Sequence, residues 1–95
     1  MKNSKLNRLG LAQVAGKLES GEDQVLKAIR SGQAKLVFVA SDASLRTQKK
    51  FKDKCSYYKI PINLDHDTLA ISQALGKKRS TCALTDSGFA KAFLD

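Results

Sequence analysis

Six residues, "KLVFVA" (Lys35 to Ala40), constrain the fold more than any other stretch of this chain. Leu36 to Ala40 are apolar without interruption, and Val-Phe-Val suits an extended, pleated backbone. A strand sends successive side chains to opposite faces, so an unbroken apolar run needs cover on both sides. Two layers of helix around a sheet supply that cover.

The flanking sequence provides the helices. Glu22 to Ser31 reads as a helix with Val25, Leu26 and Ile29 inward and Gly32 at its exit. Upstream, Leu6, Leu9, Val14 and Leu18 form a roughly helical stripe, weakened by Gly10 and Gly16 at a cost of ~1 kcal/mol each. Ser44 is placed to cap a helix running to Tyr58, with Phe51, Cys55 and Tyr58 along one face. "IPINL" is a short strand, and Pro61, which cannot donate to a ladder, puts it at an edge or makes the proline its first residue. Asp67 caps a helix that ends at Gly76. "TCALT" is another strand, and Ser87 to Leu94 is a last helix with Phe89 and Phe93 four apart. The expected fold is α/β: a three-layer α/β/α sandwich with a small central mixed sheet, one domain over residues 1–95.

Charge narrows the function. Lysine and arginine total 17 against 9 acids, a net +8, which points to polyanions: nucleic acid first, an acidic membrane surface second. The plain alternative is a charged, solubilising surface. No apolar run is long enough to span a bilayer, and "MKNSKLNRLG" has no signal-peptide core, so a cytoplasmic protein without a membrane partner is expected. Cys55, Cys82 and the single histidine, His66, cannot assemble a zinc site, and the cysteines read as small buried hydrophobes. No Ser/His/Asp set stands in a usable spacing, and Asp67 beside His66 is explained as a cap. No catalytic residue, metal, cofactor or small-molecule substrate is therefore expected. "GKLESGED" has the GxxxxG spacing of a phosphate loop, but Glu22 and Asp23 stand where Lys and Ser/Thr belong, and no strand is apparent before it.

Two cationic clusters remain. Arg46, Lys49, Lys50, Lys52, Lys54 and Lys59 spread around the third helix, either as a solvated face or as auxiliary phosphate contacts. "GKKRS" is tighter: Lys77, Lys78, Arg79 and Ser80 crowd a turn before a strand, a good phosphate or base contact whose bland alternative is a solubilising turn. Acids dominate the opposite case, the mouth of the second helix. There Gly21, Glu22, Asp23, Gln24 and Lys27 gather at one exposed end. Acids in a first turn complement the helix dipole, which accounts for Glu22 and Asp23. A carboxylate or amide beside a lysine also suits an exposed purine edge, with cations elsewhere holding the backbone.

These stretches are familiar together. "SGEDQVLKAIRSGQAKLVFVASDAS", then "KCSYYKIPI" and "LAISQALGKKRSTCALTD", resemble the L7Ae/L30e ribosomal-protein family in one register from about Leu6 to Phe93, most closely its small bacterial members. The resemblance implies a kink-turn RNA-binding domain with an α/β/α sandwich. In that family an Asn-Glu pair follows the glycine, with a lysine three residues after the Glu, and meets tandem sheared G·A pairs. Those positions fall on Asp23, Gln24 and Lys27. The family's loop before the last strand, which touches flipped-out and stem nucleotides, falls on Lys77, Lys78, Arg79 and Ser80.

Two departures carry consequences. Asp23 and Gln24 exchange which position is charged, and losing one good base contact costs ~1–3 kcal/mol, enough to weaken or retarget binding. The turn is Lys-Lys-Arg where many relatives are apolar, which favours phosphate attraction and steeper salt dependence. The expected partner is structured RNA, ribosomal RNA or a structured leader, bound by a monomer. Asp23, Gln24 and Lys27 would read bases with the backbone N–H groups near Gly21 and Glu22, Lys77, Lys78 and Arg79 would clamp phosphates, and Lys17 and Arg30 would flank. Two rivals stay open: a protein-interaction module that docks a basic partner at the acidic helix mouth, and a domain holding a mononucleotide at a helix N-terminus.

Overall fold

The structure, a computed structural model, describes residues 6–94. In chain order the elements are α1 (Asn7–Val14), β1 (Leu18–Ser20), α2 (Glu22–Arg30), β2 (Leu36–Val39), α3 (Leu45–Tyr58), β3 (Ile62–Asn63), α4 (Thr68–Leu75), β4 (Thr81–Leu84) and α5 (Ser87–Leu94). The strands form one mixed sheet in the order β1-β4-β2-β3, antiparallel at β1/β4 and β2/β4 and parallel at β2/β3.

The alternation of β2 explains both cores. Leu36 and Phe38 point to one face, where they meet Leu6 and Leu9 of the α1 region, Ile71 and Leu75 of α4, and Phe93 of α5. Val37 and Val39 point to the other, against Val25 and Ile29 of α2 and Phe51 and Cys55 of α3. Burying the apolar run on both sides thus recruits helices from the whole chain, and Phe38 and Phe93 lock edge to face at 4.7 Å. Both cysteines lie in these cores, and burial pushes their thiols up to about 11 for Cys55 and about 12 for Cys82.

Local signals set the helix ends. The Ser44 hydroxyl accepts from the Thr47 N–H and Asp67 accepts from the Ala70 N–H, each an N-cap. Lys59 closes α3 and Gly76 closes α4 in the left-handed conformation. A second carboxylate, Asp42, takes hydrogen bonds from the Thr68 hydroxyl at 2.7 Å and the Thr68 N–H at 2.9 Å. These bonds, the Thr68 hydroxyl first, favour the ionised carboxylate and hold its pKa below the ordinary value, and they tie the β2–α3 loop to the start of α4. Pro61 precedes edge strand β3, and its carbonyl accepts from the Val37 N–H, so its missing donor is not needed.

Three expectations are corrected. Leu18 belongs to a strand, not to the first helix, because Leu18 to Ser20 pair with Leu84 to Cys82. Val14, the last residue of α1, is 88% exposed, and the helix buries Leu9 and Ala12 instead. Tyr58, expected along one face of α3 with Phe51 and Cys55, is 39% exposed, as the last residue of the helix. The GxxxxG spacing from Gly16 to Gly21 is filled by β1 and preceded by a helix, so it forms no phosphate loop.

Candidate nucleic-acid interface

The mouth of α2 is made by Gly21. Its φ of 93° and ψ of 146° lie in a region essentially closed to residues with a Cβ, and a Cβ there would meet only open space. The cost of replacing Gly21 is therefore in the backbone alone. In this conformation its N–H donates to the Thr81 carbonyl at 2.9 Å while its own carbonyl accepts from Val25 and starts the helix. Strand β1 thus ends against the first residue of β4, and α2 leaves from that junction.

The basic turn arrives at the same place. Residues 77–80 link α4 to β4, so their last peptide abuts Thr81. Ser72 of α4 pins the turn twice, donating to the Arg79 carbonyl and accepting from the Arg79 N–H, both at 3.0 Å. The Arg79 Nε donates to the Ser20 hydroxyl at 3.1 Å, across to the residue just before Gly21. Its Nη1 donates to the Lys78 carbonyl at 2.8 Å. The Ser80 carbonyl accepts from the Ala40 N–H at the end of β2. The helix mouth and the cationic turn, far apart in sequence, are neighbours joined by a hydrogen bond.

The individual side chains divide into groups. Asp23, Gln24 and Lys27 are exposed on α2. Gln24 and Lys27 face a shallow concavity of about 290 Å³ with Glu19, Ala28, Ser31 and Gln33, whereas Asp23 does not line it. All three stand exposed along α2, with Gln24 and Lys27 bordering the concavity beside Glu19 of β1. Glu22 turns the other way and is held by Lys50 of α3 at 2.9 Å. That internal cation reduces the acidity of the entrance and removes much of its appeal to a basic partner.

Lys77 and Lys78 are exposed and their ammonium groups meet no acceptor among the described residues, so both are free to meet phosphate. Arg79 is half-buried with two of its donors engaged, which makes it a brace between turn and strand more than a free clamp. Lys17 and Arg30 are not gathered in. Lys17 adjoins the far end of β1, roughly 13 Å from Gly21 at ~3.3 Å per residue. Arg30 ends α2, about two turns beyond Asp23.

Sequence reasoning missed Ser20, Ser72 and Glu19, and the pairing of Lys50 with Glu22. Ser20 and Glu19 carried no signal because β1 itself was unread. The Lys50–Glu22 pair joins two helices, a relation that spacing along one helix cannot reveal.

The sequence pattern of the ribosomal protein L7Ae/L30e/S12e/Gadd45 family matches residues 4–94. The chain belongs to that family. It is 48% identical over 86 residues to the RNA-binding protein YlxQ of Enterococcus faecium, covering 90% of this chain and 84% of that one. To the RNA-binding protein YlxQ of Bacillus subtilis strain 168 it is 46% identical over 87 residues, covering 90% and 87%. Among solved structures, a Bacillus halodurans protein of unknown function superposes with a TM-score of 0.91 at 39% identity, over 96% of this chain and 93% of that one. The Giardia lamblia 15.5kD RNA binding protein superposes with a TM-score of 0.82 at 17% identity, over 94% and 78%, a likeness of fold alone.

One buried group beneath this L7Ae-family site stands out. Thr81 is buried, and its hydroxyl oxygen has no hydrogen-bond partner. An unpaired buried hydroxyl costs on the order of 1–3 kcal/mol, and valine has nearly the same shape. Thr81→Val should raise stability by about 1 kcal/mol, a Tm gain of roughly 4–8 °C in a domain of this size. Thermal denaturation checks this, and a lower Tm would mean that the hydroxyl is satisfied by solvent.

Proposed function

We propose that this protein is a non-catalytic RNA-binding protein that grips a sharply bent, kink-turn-like RNA element. The observation that supports it best is the Arg79–Ser20 hydrogen bond, which holds a base-reading helix mouth and a phosphate-binding turn side by side. Gln24 accepts and donates through its amide while Lys27 donates, the combination needed for a purine edge presented by non-canonical pairs. Lys77 and Lys78 neutralise the crowded phosphates on either side of the bend. Asp23, exposed one residue before Gln24, discriminates against a carbonyl placed near it. The family and the names of its relatives agree with RNA as the partner. The same reading makes ribosomal RNA or a structured leader the target, bound by a single copy in the cytoplasm.

Titration of the purified protein against a kink-turn RNA and a duplex of equal length, at two salt concentrations, tests this. The kinked RNA should bind at least about tenfold tighter at both, as one good base contact requires. Both ligands should weaken steeply with salt. Equal affinity for the two RNAs would leave charge as the whole explanation and overturn the site assignment.

A further inference from the structure

The lysine-rich helix α3 ends in a feature that a solvated face does not need. Tyr57 is 79% exposed and Tyr58 39% exposed, and their rings meet edge to face at 4.9 Å. Lys50, Lys54 and Tyr57 stand at i, i+4 and i+7, so the cations and the outer ring share one side of the helix. Together with Asp53 and Tyr58 they line an open cleft of about 410 Å³. The one acid there is already engaged, since Lys49 holds Asp53 at 2.9 Å. Lys50 is likewise tied to Glu22, so among the described residues the cleft offers one unpaired ammonium group, that of Lys54, beside an exposed aromatic ring.

We infer that this end of α3 is a second RNA contact, which takes a single-stranded segment flanking the bent element. It rests on the RNA-binding reading above. An exposed aromatic ring beside lysines suits a nucleotide because the base stacks while the cations meet its phosphates, with little demand on sequence. Tyr58 packs against Tyr57 in a T-shaped contact, and Tyr57 keeps most of its surface open to a stacking base. Continuity with the first site favours RNA over a protein partner. Lys50 touches Glu22 at the mouth of α2, and Tyr57 lies seven residues further along α3, about 10 Å at 1.5 Å per residue. A strand leaving the helix mouth would therefore follow the Lys50–Lys54 side to Tyr57, a span of about three stacked nucleotides at 3.4 Å each.

The chain has two tyrosines and no tryptophan, so its intrinsic fluorescence reports on this patch alone. Kink-turn RNA with a single-stranded tail should bind about tenfold tighter than the same RNA without it, the gain of one stacked base. The tail should quench tyrosine emission. Tyr57→Ala should erase the gain and leave tailless RNA unaffected, whereas Tyr57→Phe should keep it. A single-stranded oligoadenylate alone should also quench, more weakly, so the patch is tested even if the kinked element is not preferred over a duplex. An unchanged emission with tail and oligoadenylate, or a Tyr57→Ala loss equal for tailed and tailless RNA, overturns the proposal. So does a gain that survives Tyr57→Ala and disappears only in Lys54→Glu, which would reduce the contact to charge.

Discussion

A Lys77→Glu, Lys78→Glu double variant is expected to bind RNA about 30- to 100-fold more weakly near 0.15 M salt while its Tm stays unchanged. Each phosphate neutralised by a lysine contributes a counterion-release factor of about 5 at that salt, so two lost contacts give ~30-fold and two introduced repulsions add to it. The salt slope of log affinity should also flatten by about 2. Stability is spared because both side chains are exposed and meet no partner among the described residues. Ser72 and Ser20 hold the turn through Arg79, which the variant leaves intact. Salt-dependent titration together with thermal melting separates the outcomes. Undiminished affinity with an unchanged Tm would make the turn a solubilising surface, and a protein-docking function for the helix mouth would then regain ground.

Gly10→Val is the second large effect, this time on folding. The glycine lies inside α1, where sequence alone marks it as a weak point, yet a Cβ there would stand 2.8 Å from the Ala74 carbonyl oxygen of α4. Backbone cannot yield as a flexible side chain does. Beside this contact the Gln13 amide reaches the Leu75 carbonyl at 3.2 Å, so the two helices meet almost backbone to backbone. Valine forces them apart and opens the Leu9–Ile71–Leu75 packing. We expect a loss of about 2–3 kcal/mol, a Tm lower by roughly 10–20 °C. Alanine gains ~1 kcal/mol of helix propensity against the same clash and should fall between valine and the wild type. Urea unfolding measures both, and a midpoint for Gly10→Val at or above wild type would show that α1 slides freely over α4.

What was legible in the sequence follows from range. "KLVFVA" announced two-sided burial because the alternation is carried within the strand itself, and the helices that cover it were readable from Phe51/Cys55 and Val25/Ile29. Ser44 and Asp67 were readable as caps because a cap acts over three residues. Strand β1 was not, since "LES" has one apolar residue and becomes a strand only by pairing with β4 near the other end of the chain. The same distance hid the role of Gly10, whose partner is Ala74. At the site, the residue types were readable but their grouping was not. Nothing local announces that Arg79 would turn toward Ser20, or that Lys50 would hold Glu22.

Both halves of the site are fastened to one point, the Thr81 end of β4: Gly21 by its N–H, the basic turn by direct peptide continuity. Strand β4 has β1 on one side and β2 on the other, so it occupies the interior of the sheet. Prising the two halves apart would mean unzipping an interior strand, the kind that opens only near global unfolding. Their mutual placement is settled when the chain folds, and an incoming ligand meets a rigid template whose ordering entropy has already been lost.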